Sequence, residues 1–134
     1  MIDITRGREL LTAQIGKPYI FGYEVDLNDP NPKAFDCSEL IEWFFHQLGF
    51  AVPDGTWQQY RDSVAVDSPM DFDVNFLLKN GKTPFHVVIK LDENMIVQAR
   101  GSSYGVIKEP IDQFLTRDAK LTSGWRRFKC LQTA

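Results

Sequence analysis

Between Tyr60 and Phe72 the hydrophobic pattern of this chain changes period, and that change limits the folds it can reach. Upstream, apolar residues recur three and four apart; downstream, short apolar runs are separated by turn signals. Phe72 to Leu78 reads as a strand and Asn80-Gly81 as a tight turn. Phe85 to Leu91 and Met95 to Ala99 are two further strands around Asp92-Glu93-Asn94. Val106 to Lys108 adds a short strand, Pro110 opens a helical turn through Leu115, and Gly124 to Leu131 is a last strand. Helices followed by a mostly antiparallel sheet make an α+β domain with the N-terminal helices packed on the sheet. At 134 residues, 43% of them hydrophobic, the chain supports one domain over 1–134 and not two ordinary ones.

The helical third has readable punctuation. Asp3 or Thr5 caps a first helix through about Ile15, and Gly16 stops it. The turn formers of 26–33 make a surface loop, without the spacing or the Glu of a calcium-binding hand. Asp36 then caps a second helix starting at Cys37, and Glu39 completes a D-x-x-E capping box. At 3.6 residues per turn Cys37, Leu40, Ile41, Phe44 and Leu48 share an apolar stripe, with Glu39, Glu42 and His46 opposite. Gly49 closes this helix, Pro53-Asp54-Gly55 turns, and Thr56 caps a short helix carrying Trp57 to Tyr60.

A cysteine at a capped helix mouth faces unpaired amides and the positive end of the dipole, which favour a thiolate and lower its pKa from about 8.5. The competing reading is a small hydrophobe at the end of a core stripe; the capped position favours the nucleophile. A nucleophilic thiol needs a base, and the chain has two histidines. His46 is nine positions along the same helix, about 13 Å away and on the far side, so it cannot serve Cys37. His86 opens the apolar run Val87-Val88-Ile89; by residue type it is a hydrogen-bonded core histidine, and if Cys37 reacts it is the remaining imidazole. A hairpin centred near Asp92 and Glu93 sets residue 86 opposite 98 or 99. Gln98 is thus either the acceptor that fixes the imidazole tautomer or an ordinary exposed strand position.

Other chemistries are poorly served. Gly101-Ser102-Ser103-Tyr104-Gly105 matches G-x-S-x-G, but no histidine follows it and Pro110 interrupts the helix such a motif needs. Cys37 and Cys130 have no zinc spacing, and two separated histidines give no ligand set, so neither metal nor cofactor is expected. Cys130 reads as a late-strand residue. The net charge of −3 and scattered basic residues argue against nucleic acid. No apolar run reaches membrane-spanning length, and the N-terminus lacks the basic and apolar regions of a signal peptide. Synthesis in the cytoplasm and a reducing compartment are therefore expected.

Phe35-Asp36-Cys37-Ser38-Glu39-Leu40, His86-Val87-Val88-Ile89 and Gln98-Ala99-Arg100-Gly101, in this order, resemble an NlpC/P60 family cysteine peptidase. Ile15-Gly16-Lys17-Pro18-Tyr19 with Phe21-Gly22 resembles the family's G-x-P-Y-x-x-G start, and Thr56 with Gln59 its T-x-x-Q segment. The chain departs from the family at Glu39, where many members have glycine, in lacking a Pro-Gly-Asp around 71–76, and at Gln98, which replaces the commoner histidine. The resemblance implies a papain-like NlpC/P60 fold, with Cys37 as nucleophile, His86 as base and Gln98 as third polar residue. It implies that Tyr19, Asp36 and Ser38 line the substrate and oxyanion region, where the backbone N–H of Cys37 is a further donor. The implied substrate is the peptidoglycan stem peptide, cut between D-glutamate, through its γ-carboxyl, and a diamino acid by way of a thioester acyl enzyme. The same fold also supports amidases, transglutaminase-like or acyl transfer, and a cell-wall binding module without catalysis. Without a leader, such a protein is expected to meet the wall after lysis, in a virion with a phage tail partner, or through a secretion system.

Overall fold

The computed structural model describes residues 2–132. Its centre is a six-stranded sheet built from β1 (Ser63–Ala65), β2 (Val74–Lys79), β3 (Thr83–Lys90), β4 (Met95–Ala99), β5 (Val106–Pro110) and β6 (Thr122–Phe128). The spatial order is β1-β6-β2-β3-β4-β5, and every neighbouring pair is antiparallel. The helices are α1 (Ile4–Thr12), α2 (Cys37–Gln47), α3 (Thr56–Arg61) and α4 (Ile111–Arg117). This is the expected α+β arrangement, with one strand more than the sequence indicates: Ser63-Val64-Ala65 is too short to show a period.

Alternation along β3 sorts the core into two layers. Val87 and Ile89 join Phe35, Leu40, Ile41 and Phe44 on one face, while Val88 joins Leu77, Ile96 and Phe114 of α4 on the other. Each such fully buried apolar side chain is worth roughly 1.5–3 kcal/mol of transfer free energy. The helix α2 is buried almost all round rather than along one stripe, because loops close over its outer side. Trp43 packs at a tilt against Phe35, ring centroids 5.4 Å apart, and donates its indole N–H to the Asp29 carbonyl at 2.8 Å. His46 stays exposed, 3.0 Å from Asn28 Oδ1, as its distance from Cys37 requires.

Several boundaries differ from expectation for local reasons. Asp3, not Thr5, caps α1 by accepting the Arg6 N–H, and the helix ends at Thr12 rather than Ile15. It stops early because the chain leaves to meet β5: Gly16 N–H donates to the Val106 carbonyl, and Val106 N–H to the Lys17 carbonyl. Gly55, with φ +94°, occupies the N-cap of α3, so Thr56 is the first helical residue and caps nothing. The last strand runs Thr122–Phe128, and Cys130 lies exposed and free in a 3-10 turn beyond it.

Candidate active site

The start of α2 is built on the Asp36 cap alone: among the described residues the Glu39 carboxyl does not return to the Asp36 N–H, so the expected capping box is half formed. Asp36 is extended, and its Oδ1 accepts the Glu39 N–H at 2.8 Å and the Ser38 hydroxyl at 3.3 Å. The preceding residues are clamped: Tyr19 pairs with Phe35 in a parallel bridge, Ile20 N–H donates to the Phe35 carbonyl, and Phe35 N–H donates to the Pro18 carbonyl. From α3, the fully buried Gln59 donates through Nε2 to the Ser38 and Pro53 carbonyls, tying that helix to the first turn of α2. Cys37 is therefore held on three sides.

Its thiol lies against β3. That strand pairs with β4 at Ile89–Val97 and Lys90–Ile96, and two residues further down the backbone N–H of Val87 lies beside the Cys37 thiol. Burial pushes the thiol up, to about 11, with the Asp36 carboxylate adding to the shift; the N–H groups of Val87, Ser38 and Cys37 oppose it without overcoming it. The helix mouth thus does not give the lowered pKa read from the sequence. At 7% exposure, loss of hydration outweighs the helix end and favours the neutral thiol of Cys37. Burial, followed by Cys37 once it ionises and by the Asp36 carboxylate, likewise raises the Tyr19 hydroxyl, which is protonated near neutrality.

His86 precedes Val87 and stands beside Leu77 on the α4 face of the sheet. Its Nε2 is 2.7 Å from Gln98 Oε1. Gln98 is not directly opposite, as the hairpin arithmetic expects: the β3–β4 register, continued, sets Gln98 level with Val88, and the contact is diagonal across one face. Asp92 explains the offset, because its Oδ1 accepts the Asn94 and Met95 N–H groups and centres the turn on Glu93. Burial lowers the His86 pKa; the Gln98 bond and Asp118 oppose this, while Arg100 and Arg117 reinforce it. These side chains line an open cavity of about 300 Å³ with Leu77 and Phe85.

The predicted residues therefore form two groups. Tyr19, Asp36, Cys37 and Ser38 gather at the mouth of α2, His86 and Gln98 bond to each other, and the groups meet at the Val87 backbone. Among the described residues no hydrogen bond joins the Cys37 sulfur to the His86 ring. Sequence reasoning did not reach Glu109 and Arg117. Gln98 Nε2 donates to Glu109 at 2.6 Å, and Arg117 forks onto the same carboxylate with two bonds of 2.8 Å.

Glu39 also departs from expectation. It is buried rather than on a solvated face, within 4.8 Å of Glu24 and Asp54 oxygens. Burial and this crowding raise Glu39 to about 8 and neighbouring Glu42 to about 7, so near neutral pH Glu39 largely keeps its proton. Among the described residues it is the carboxylate cluster with spacing suited to a cation.

A family model described as "NlpC/P60 family" matches residues 16–123. No curated protein matches the chain. Among solved structures, an NlpC/P60 family protein from Bacillus cereus superposes with a TM-score of 0.78 at 21% identity, over 94% of this chain and 40% of that one. The P60 domain of an antigen from M. avium subspecies paratuberculosis gives 0.73 at 22%, over 96% of each. The peptidoglycan hydrolase RipB of Mycobacterium tuberculosis gives 0.70 at 23%, over 97% of this chain and 67% of that one. Other matches are longer, and the chain spans 41%, 47% and 44% of three of them. Likeness at these identities shows the fold.

Proposed function

The chain belongs to the NlpC/P60 family, and on that premise we propose that it is a cysteine peptidase that cleaves peptidoglycan stem peptides, at the D-γ-glutamyl–diamino acid bond, through Cys37, His86 and Gln98. The observation that carries this reading is the meeting of the two groups at Val87: the thiol lies beside that residue's N–H while the next residue back is an imidazole bonded to Gln98. Two solved neighbours, RipB and SagA, are described as peptidoglycan hydrolases, which supports the substrate class.

With a neutral thiol and a neutral imidazole at rest, attack and proton transfer belong to one step. Cys37 Sγ adds to the amide carbonyl as its proton passes to His86 Nδ1, the nitrogen that Gln98 does not engage. The Cys37 N–H and the Tyr19 hydroxyl serve the oxyanion, and Tyr19 can donate because it stays protonated. The imidazolium gives its proton to the departing amine, leaving a thioester, and His86 then activates the water that hydrolyses it. The order of events is set by the buried site: neither group carries a charge until substrate arrives.

Mass spectrometry of purified peptidoglycan fragments after incubation tests the proposal, with Cys37→Ala alongside. New stem-peptide cuts that vanish in the variant identify a cysteine endopeptidase and its bond. No cuts across walls of differing stem chemistry, from folded protein with a reduced thiol, would overturn it in favour of acyl transfer or binding.

A further inference from the structure

Behind the proposed base lies a buried polar chain that ends in a charge. Gln98 and Glu109 are 2% and 3% exposed. Glu109 Oε1 accepts from Gln98 Nε2 at 2.6 Å and Arg117 Nη2 at 2.8 Å; Oε2 accepts from Arg117 Nη1 at 2.8 Å and Gln113 Nε2 at 3.1 Å. We infer that Glu109, clamped by Arg117, is a positioning residue that selects the tautomer of His86 through Gln98.

Donors and acceptors decide the tautomer. An amide and a neutral imidazole can bond in two equivalent ways: amide oxygen to ring N–H, or amide N–H to ring lone pair. The first leaves the lone pair on Nδ1, the second leaves it on Nε2 and puts the proton on Nδ1. Only the first gives a base on the side not occupied by Gln98. Nothing in a glutamine–histidine pair alone prefers one over the other. A carboxylate breaks the tie because it only accepts, and Arg117's two parallel bonds keep it a carboxylate. Gln98 must then turn its NH₂ to Glu109 and its oxygen to His86, and a reversed amide would set an oxygen 2.6 Å from a carboxylate oxygen in a buried place. Information about which ring nitrogen is basic therefore comes from Arg117 on α4, across β5 and β4, to β3. Successive members of this chain are 12, 11 and 8 residues apart in sequence, and Glu109 hydrogen-bonds to neither thiol nor imidazole.

The link to catalysis rests on the proposed role of His86; the tautomer itself does not, so the decisive measurement uses no substrate. Long-range proton–nitrogen spectra of the ¹⁵N-labelled protein at pH 8, with His46→Gln to identify the two rings, report which His86 nitrogen carries hydrogen. The unaltered protein is expected to show Nε2–H and a bare Nδ1. Glu109→Gln, whose amide can donate or accept, should bring in a substantial Nδ1–H population, and Glu109→Asp should remain closer to the unaltered ring. Arg117→Gln is read in the same way where Glu109→Gln does not fold. An Nδ1–H ring in the unaltered protein, or an unchanged Nε2–H ring in a folded Glu109→Gln, overturns the inference. Absence of peptidoglycan cleavage with the tautomer switch intact overturns the functional proposal alone; cleavage with an insensitive tautomer overturns this inference alone.

Discussion

Gln98 sits two residues out of step with His86 in the β3–β4 register, yet its amide oxygen is 2.7 Å from the ring Nε2. A diagonal pair on one face of a twisted hairpin is within reach of long side chains, and here it is buried and backed by Glu109. Gln98→Leu removes the acceptor, leaving the ring N–H without its partner and Glu109 Oε1 with Arg117 alone. In steady-state hydrolysis of a purified muropeptide, kcat should fall by about 10²-fold with KM little changed, the signature of a lost orienting group rather than lost binding. Gln98→His, which also offers one donor and one acceptor, should retain much more of the rate. Equal losses in both variants would mean that Gln98 is merely packed.

A buried neutral thiol makes a second expectation. Alkylation of Cys37 by iodoacetamide should climb with pH from 7 to 10 without a plateau near neutrality, since its pKa is raised to about 11. Asp36→Asn keeps the cap, because asparagine is as good an N-cap as aspartate, and deletes the neighbouring negative charge. It should speed alkylation at pH 8 by up to about tenfold, the effect of one pKa unit. A plateau below pH 7 in the unaltered protein would show a thiolate–imidazolium pair at rest and contradict the neutral site.

What was legible in the sequence, and what was not, follows from the range of the forces involved. Capping is local, so Asp36 and the first turn at Cys37 could be read directly, and the Asp92-Glu93-Asn94 turn announced the hairpin that unites His86 with Gln98. Exact register was not legible, because it depends on one Asx bond from Asp92. Glu39 read as a solvated face on helical period; it is buried because the loop before α2 and the turn before α3 bring Glu24 and Asp54 onto it, a consequence of tertiary packing. Glu109 and Arg117 show no pattern at all until α4 is known to pack behind β5. The thiol's pKa was misread for the same reason: the helix end is a local feature, and desolvation is not.

Gly7 carries a packing constraint inside a helix, where glycine costs about 1 kcal/mol relative to alanine. A Cβ there would come within 2.5 Å of the ring of Phe72, which itself holds φ +71°. Gly7→Ala should therefore destabilise, by about 1–3 kcal/mol from overpacking, despite the better helix former. Urea denaturation measures it, and Phe72→Leu in the same chain should recover part of the loss. A more stable Gly7→Ala would mean that the ring moves aside freely.

Glu39 ties stability to pH with a sign that can be worked out. Burial, then Asp54, Glu42 and Glu24, raises its carboxyl to about 8, whereas an unfolded glutamate titrates near 4.3. Between those values the native state binds a proton that the unfolded chain has lost, so stability falls as pH rises. The contribution is fully present below about pH 4 and is lost as pH climbs through 8. Glu39→Gln is neutral throughout and escapes that loss. Its melting temperature relative to the unaltered protein should be nearly unchanged at pH 4 and higher by several degrees at pH 8. Glu42, raised to about 7, should leave a residual slope that the Glu39→Gln/Glu42→Gln double variant flattens. Scanning calorimetry of all three at pH 4, 6 and 8 checks this. A Glu39→Gln chain that gains nothing between pH 4 and 8 would show that the carboxylate is stabilised in the fold by a bound cation or by water rather than by its proton.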